Sequence, residues 1–165
     1  MKQIPNLFTL LNLACGCIAI VLILQPGEQI VSLQEGNLLI TLPERMVYAS
    51  FFIFAAGLID FLDGFLARWM GAASEMGKQL DSLCDAVTFG VAPSMIMYQL
   101  LRMSLLRETT AMDTSVLWLL PALLLALCAV WRLAKFNIDQ RQSISFYGVP
   151  TPITAFVVAA LPLII

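Results

Sequence analysis

The feature that most constrains the fold of this sequence is a series of long, nearly uninterrupted apolar runs. A membrane-spanning helix needs about 20 predominantly apolar residues. Runs close to this length recur five times, at 7–24, 46–61, 80–101, 115–133 and 149–165. Apolar residues make up 60% of the 165-residue chain and charged residues 12%, which is not the composition of a soluble domain. We therefore predict a polytopic membrane protein.

The continuous character of these runs predicts helices. A lipid-facing barrel is built from short segments of alternating polarity, whereas a helix satisfies its own backbone within one apolar stretch. The fold class is therefore all-α, a bundle of about five spans. The first run lacks a clear small-residue cleavage site, so we interpret it as a retained helix and not as a signal peptide.

The basic residues fall unevenly on the two sides of a five-span arrangement. One side holds Lys2, Arg68, Lys78, Arg132, Lys135 and Arg141, and the other holds Arg45, Arg102 and Arg107. Because Lys and Arg are enriched in cytoplasmic loops, we predict a cytosolic N-terminus. The loops 68–78 and 135–141 then face the cytosol, in a multi-pass protein of the cytoplasmic membrane.

Turn and cap signals divide the chain further. The segment 25–44 carries several Gly and Pro residues and is predicted to be an external loop. Asn6 or Thr9 is a candidate cap for the first helix, and Ser74 followed by Glu75 predicts the start of the third. The fourth span is predicted to open near Ser115 and Pro121.

Residues 1–165 are predicted to form one membrane domain, because no repeat or Ser/Gly-rich linker separates folding units. The last apolar run is still open at residue 165. We therefore expect a fragment, or a chain that lacks further C-terminal spans.

The absence of histidine narrows the possible chemistry, because it removes the commonest general base and the commonest transition-metal ligand. The four cysteines lie within apolar runs, where packing is the expected role. Acid-base or metal chemistry must therefore depend on carboxylates.

Four aspartates, out of eleven acidic residues in the chain, lie between positions 60 and 85. At about 100° per residue, one helix face carries Asp60, Asp63, Gly64, Ala67 and Arg68, and one face of the following helix carries Gly77, Asp81 and Asp85. Two helices joined by a short turn run antiparallel, so we expect these faces to meet near the cytosolic boundary.

Four neighbouring carboxylates predict a metal site. Like charges repel, and bilayer depth adds a desolvation cost, so bound divalent cations are expected to neutralise the cluster. Oxygen ligands favour hard ions such as Mg²⁺, Mn²⁺ or Ca²⁺, and paired ions serve displacement at phosphorus. Small Gly64, Ala67 and Gly77 leave room for a flat base or ribose, and Arg68 offers a planar donor fork for a diphosphate.

Taken singly, these residues have simpler interpretations. An acid near a helix end is usually solvated, and small residues in membrane helices usually serve packing. An i, i+3 pair of acids followed by an i, i+4 pair on matching faces, in a chain so poor in charge, favours a functional site.

The pattern D-x2-D-G-x2-A-R-x8-G-x3-D-x3-D, which begins at Asp60, resembles the signature of the CDP-alcohol phosphotransferase family. The resemblance implies an enzyme that moves a phosphatidyl group from a CDP-lipid to a small alcohol. It also implies that the acids bind a pair of divalent ions, Mg²⁺ or Mn²⁺. It assigns the metal ligands to Asp60, Asp63, Asp81 and Asp85, with Asp85 also as the general base, and the CDP pocket to Asn6, Gly64, Ala67, Arg68 and Gly77. A plain helix cap is the alternative role for Asn6.

Further segments resemble bacterial and archaeal phosphatidylserine synthases, which implies CDP-diacylglycerol and L-serine as substrates and a homodimer in the membrane lipid, without nucleic acid. These segments are 5–12, 80–83 together with 89–93, 132–137 and 146–152. Serine carries a carboxylate, so its pocket needs a cation, and Arg132 and Lys135 are candidates. A role as positive-inside anchors explains the same two residues equally well.

Three other functions stay open on sequence grounds. The same chemistry could use another acceptor, such as glycerol 3-phosphate. Intramembrane acids also occur in ion-coupled transporters, although there they lie at mid-span in two related halves. A non-catalytic membrane scaffold is the third, and retention of all four acids argues against it.

Overall fold

The computed structural model describes residues 4–25, 31–34, 37–40, 44–69, 71, 74–106, 116–138 and 149–164. Its helices are α1 (Ile4–Leu24), α2 (Glu44–Trp69), α3 (Glu75–Asp85), α4 (Ala92–Leu106), α5 (Pro121–Ile138) and α6 (Thr151–Ile164). A π-helical segment, Ala86–Val91, joins α3 to α4, and a 3₁₀ turn, Val116–Leu119, precedes α5.

Within the described residues, four helical units are long and apolar enough to cross a bilayer: Asn6–Leu24, Glu44–Trp69, Glu75–Leu105 and Pro121–Ile138. The apolar helix α6 is shorter. The prediction of an all-α membrane bundle is confirmed. The third span is longer than the predicted 80–101, because α3, the π-helical segment and α4 continue one another.

A small hairpin lies in the predicted loop between α1 and α2. Its strands β1 (Val31–Gln34) and β2 (Asn37–Ile40) pair antiparallel, with Val31 opposite Ile40. The rest of that loop lies outside the described residues.

The helix ends follow local chemistry. Ser74 caps α3, and its Oγ accepts a hydrogen bond of 3.0 Å from the Gly77 backbone N–H, as the sequence predicted. Gly71 adopts a φ of 57°, a left-handed conformation that favours glycine, in the turn after α2. The predicted cap of α1 is wrong, because α1 begins at Ile4 and both Asn6 and Thr9 lie inside it.

The π-helical segment has a local cause in Pro93. A proline inside an α-helix cannot donate to the carbonyl four residues earlier, and its ring clashes with that carbonyl. Here Ala92 donates to the carbonyl of Val87, five residues earlier. The widened turn accommodates the proline and lies directly after Asp85.

Small residues at the helix contacts form the centre of the bundle. The helix α1 packs against α2, α3, the π-helical segment and α4, and α2 packs against α6. Buried core residues include Ala19, Ile23, Ala49, Ile53, Ala92, Ile96 and Ala159. Membrane helices approach closely through such residues, while large apolar side chains such as Val21, Phe51 and Leu127 point outward, as expected for a surface in lipid.

The charged residues separate between the two ends of the bundle. Arg68 and Arg132 line one cavity at the end that holds the carboxylates. At the other end Arg45 donates to Gln25 Oε1 over 3.1 Å. The predicted counterparts Lys2, Arg107 and Arg141 lie outside the described residues.

Candidate metal and substrate site

Carboxylates from two helices converge in the bundle. Helix α2 contributes Asp60 and Asp63, and α3 contributes Asp81. One carboxylate oxygen of each lies within 4.8 Å of the others. Asp63 is the most buried of the three, with 5% of its surface exposed.

Asp85 lies beside this group of three. Its carboxyl group contacts that of Asp60. Its Oδ1 accepts a hydrogen bond from Asn12 Nδ2 over 3.4 Å. The sequence grouped four acids together, and the structure brings three within mutual ligand distance with the fourth in contact.

The first of two clefts that border the carboxylates has a volume of about 430 Å³. Four of the residues expected for the CDP pocket line it: Asn6, Gly64, Ala67 and Gly77. Its other lining residues are Thr9, Asp63, Ser74, Glu75, Lys78 and Asp81.

Two glycines shape this nucleotide-sized cleft in different ways. A Cβ on Gly64 would meet nothing within 4 Å, so Gly64 keeps the cleft wide. A Cβ on Gly77 would lie 3.1 Å from Asn6 Oδ1 and 3.0 Å from Ser74 Oγ. Gly77 therefore lets α3 approach α1 closely.

The second cleft also borders the carboxylates and has a volume of about 520 Å³. Asp63, Gly64 and Asp81 line both clefts, so the clefts meet at the acids. The lining residues of the second cleft alone include Asp60, Arg68, Asp85, Arg132, Phe136, Pro150 and Thr151.

The two basic candidates for the acceptor differ in position. Arg132 lines the second cleft, and its Nη1 donates to Thr151 Oγ1 over 2.6 Å. Lys135 is exposed and is not part of the cleft lining. The structure thus brings Arg132, but not Lys135, to the carboxylates.

Arg68 also lies in the second cleft, not in the first with the other expected CDP residues. Its Nε donates to the Gly64 carbonyl over 3.0 Å, which holds the side chain along α2. Arg68 therefore lines the same cleft as the acids that both clefts share.

The donor set fits a hard divalent cation. All its donors are carboxylate oxygens, which Mg²⁺ and Mn²⁺ prefer. Asp63 Oδ2 is buried and has no hydrogen-bond partner among the described residues, and a bound cation would satisfy it. Asp60, Asp63 and Asp81 would hold the ion, and Asp85 contacts Asp60 beside it.

The sequence interpretation missed three polar residues that border the acids: Thr9, Asn12 and Thr151. The sequence contained a signal for two of them, Thr9 and Asn12. Asn6, Thr9 and Asn12 recur every three residues on an otherwise apolar helix, which places them on one face. No sequence signal indicated the hydrogen bond between Arg132 and Thr151, because it depends on how α5 and α6 pack.

Comparison with known proteins assigns the chain to a protein family. Residues 2–165 match the family model described as CDP-alcohol phosphatidyltransferase. The chain is 36% identical, over 152 residues, to a protein from Bacillus subtilis named CDP-diacylglycerol–serine O-phosphatidyltransferase, an alignment that covers 92% of this chain and 71% of the relative.

Two more distant relatives point the same way. The archaetidylserine synthase of Methanothermobacter thermautotrophicus is 30% identical over 95% of this chain and 56% of its own length. A yeast protein from Saccharomyces cerevisiae with the same name as the Bacillus relative is 35% identical over 72% of this chain and 42% of its own length. The chain thus spans about half of these two relatives, and no solved structure matched it.

Proposed function

Because the chain belongs to the CDP-alcohol phosphatidyltransferase family, we propose that it transfers a phosphatidyl group from CDP-diacylglycerol to L-serine, giving phosphatidylserine and CMP in phospholipid biosynthesis. The family is one of membrane enzymes that generally use divalent metals. The names of the Bacillus and yeast relatives support serine as the acceptor.

The observation that carries this proposal is the meeting of two clefts at one cluster of acids. A transfer between two substrates requires that a donor and an acceptor reach the same phosphorus from different directions. The first cleft offers the glycines for a nucleotide, and the second offers a cation for a carboxylate. A binding protein for one ligand would not need both.

In the first cleft, Asn6, Gly64, Ala67 and Gly77 are proposed to contact the CDP group. Arg68 is proposed to reach the diphosphate from the neighbouring cleft, where its planar fork matches phosphate oxygens. The acyl chains of the lipid would remain in the bilayer beside the bundle.

In the second cleft, Arg132 is proposed to bind the serine carboxylate. Its hydrogen bond to Thr151 fixes the guanidinium, so less side-chain freedom is lost when serine binds. Lys135 lies one turn further along α5 and is proposed to add positive charge at the rim.

The metal proposal is a pair of Mg²⁺ or Mn²⁺ ions held by Asp60, Asp63, Asp81 and Asp85. When bound, such ions supply stabilisation of the negative charge on the transferring phosphate and its leaving group. They would also offset the repulsion among the four acids.

Asp85 is proposed as the general base. It lines the second cleft, where the serine hydroxyl would lie, and it does not line the first. The hydroxyl proton passes to the Asp85 carboxylate as the serine oxygen bonds to the lipid-side phosphorus. The bond from that phosphorus to the CMP oxygen breaks, and CMP leaves with the electron pair.

We also propose the setting of the reaction. The carboxylate end of the bundle would face the cytosol in the cell membrane, with residues 1–165 as one membrane domain and the protein as a homodimer. The clustering of Arg68, Lys78 and Arg132 at that end supports the orientation.

The test is CMP release by the purified protein in detergent, with CDP-diacylglycerol and Mn²⁺ or Mg²⁺. Serine, glycerol 3-phosphate and inositol phosphate are offered separately, and Asp85→Asn is the control. We expect release with serine that Asp85→Asn abolishes. Release with another alcohol alone would retain the family chemistry and refute serine, and no release with any would reopen the transporter and scaffold functions.

A further inference from the structure

Asn12 is a buried amide beside the acids to which no role has been assigned above. It lies inside α1 and is fully buried. Its Nδ2 donates to Asp85 Oδ1 over 3.4 Å, while its Oδ1 is buried and has no hydrogen-bond partner among the described residues. A carboxylate oxygen only accepts, so the amide must turn its nitrogen toward Asp85.

The backbone around Asn12 is held in place from the side of the π-helical segment. The hydroxyl of Thr88, also fully buried, donates to the Asn12 carbonyl over 3.4 Å. One turn later, a Cβ on Gly16 would lie 3.0 Å from Thr88 Cα and would collide with Thr88 Oγ1. The lack of a side chain at Gly16 therefore lets α1 pack closely against the π-helical segment beside Asn12.

The amide differs from the other neighbours of Asp85 in charge. Asp60 contacts the Asp85 carboxyl group and repels its negative charge. A cationic partner would neutralise the carboxylate. A neutral N–H donor orients the carboxylate and leaves its charge in place. One oxygen of Asp85 thus accepts a hydrogen bond from Asn12, which restricts the rotation of the carboxylate.

We propose that Asn12 is a positioning residue that holds the Asp85 carboxylate in the orientation in which it takes the proton of the acceptor hydroxyl. This inference rests on the proposed function, because it requires that Asp85 be the base. Asn12 itself does not contact the substrate.

The competing explanation is that Asn12 only joins two membrane helices, as buried polar residues often do. The chain offers a matched control for this role in Gln99. It is a buried amide on α4 whose Nε2 donates to the Ile23 carbonyl over 3.1 Å, near the opposite end of α1. Both amides connect α1 to the third span, but only Asn12 touches an acid.

The experiment compares Asn12→Leu with Gln99→Leu in the full-length protein. The measurements are kcat and KM for CDP-diacylglycerol and for serine, the melting temperature, and the increase in melting temperature on adding CMP with Mn²⁺. We expect Asn12→Leu to lower kcat about 10- to 100-fold, the usual effect of losing a partner that orients a metal-site ligand. Both KM values and the CMP response should stay at the wild-type level, and Gln99→Leu should retain kcat.

Three outcomes of the kinetic measurements would overturn the inference. They are a wild-type kcat in Asn12→Leu, an equal loss of kcat in Gln99→Leu, and a higher KM in Asn12→Leu without a lower kcat. Asn12→Ser, which is too short to reach Asp85, guards against misfolding caused by the leucine. If both Asn12 variants lose the CMP response while Gln99→Leu keeps it, Asn12 assembles the site and does not orient the base, which also refutes the proposal.

Failure of the proposed function gives a different result. In that case the wild-type protein itself releases no CMP with serine. An active wild type whose Asn12 variants turn over normally refutes the positioning role alone.

Discussion

At the scale of single residues, the chemistry depends on carboxylates whose positions come from two helices. Asp60 and Asp63 are one turn apart on α2, and Asp81 and Asp85 are one turn apart on α3. Helical periodicity therefore predicted each pair. The short turn between the helices also predicted that the pairs meet. The position of Asp85, in contact with Asp60 but outside the closest group of three, follows from the packing of both helices against α1.

The first prediction concerns Asp81, which lines both clefts. Asp81→Asn removes one charged oxygen donor, so we expect a higher Mn²⁺ concentration for half-maximal activity. We also expect a loss of maximal activity greater than the about 10- to 100-fold typical of removing a group that only hydrogen-bonds to a metal ligand. Serine-dependent CMP release across a Mn²⁺ titration measures both. Glu44→Gln, an exposed acid at the other end of α2, is the control, and an unchanged Mn²⁺ requirement in Asp81→Asn would refute the role.

The second prediction separates the two basic residues of α5. Arg132→Ala should raise KM for serine about 10-fold or more, because a hydrogen bond to a charged group contributes about 1.5–3 kcal/mol. Lys135→Ala removes the same charge from an exposed position and should have a smaller effect. Steady-state kinetics with varied serine measures both, and equal effects would indicate that only net charge at this end matters.

At the scale of elements, the spans could be predicted because lipid imposes a length and a composition on each helix. Three features could not. Helix α1 begins at Ile4, although Asn6 and Thr9 carried cap signals. The π-helical segment follows from steric conflict at Pro93. The second cleft requires that the start of α6 lie beside Arg132. The π-helical segment depends on local backbone geometry and the second cleft on contacts between elements, and neither can be predicted from hydropathy.

The third prediction tests two glycines that the structure places in opposite surroundings. Gly16→Ala would overpack the contact between α1 and Thr88, at a cost of about 1–3 kcal/mol. Gly64→Ala adds a methyl group to open space in the first cleft, so stability should be kept while KM for CDP-diacylglycerol rises. Melting temperatures in detergent measure the contrast, and a greater loss of stability in Gly64→Ala would contradict it.

At the scale of the whole molecule, the separation of charge between the two ends of the bundle has a chemical consequence. Both clefts open at the end that carries Arg68, Lys78 and Arg132, and serine and CMP are water-soluble. The reaction therefore requires that the acids lie on the side of the membrane from which the soluble substrates arrive. The basic side chains that line the two clefts lie on the same side. If that side is the cytosol, the positive-inside rule and the reaction impose the same orientation.

The fourth prediction tests this orientation with single cysteines at the two ends. In a background with the four native cysteines replaced by serine, Lys78→Cys should react with a membrane-impermeant maleimide in inverted vesicles and not in intact cells. Arg45→Cys, exposed at the opposite end, should show the reverse pattern. The background protein must remain active and unlabelled.

The same reagent connects the orientation to the site. Because Lys78 lines the first cleft, CMP with Mn²⁺ should slow the labelling of Lys78→Cys in inverted vesicles and leave that of Arg45→Cys unchanged. Labelling of Lys78→Cys from outside the cell would refute the cytosolic site. Labelling from the cytosol without protection by CMP would retain the orientation and place the nucleotide elsewhere.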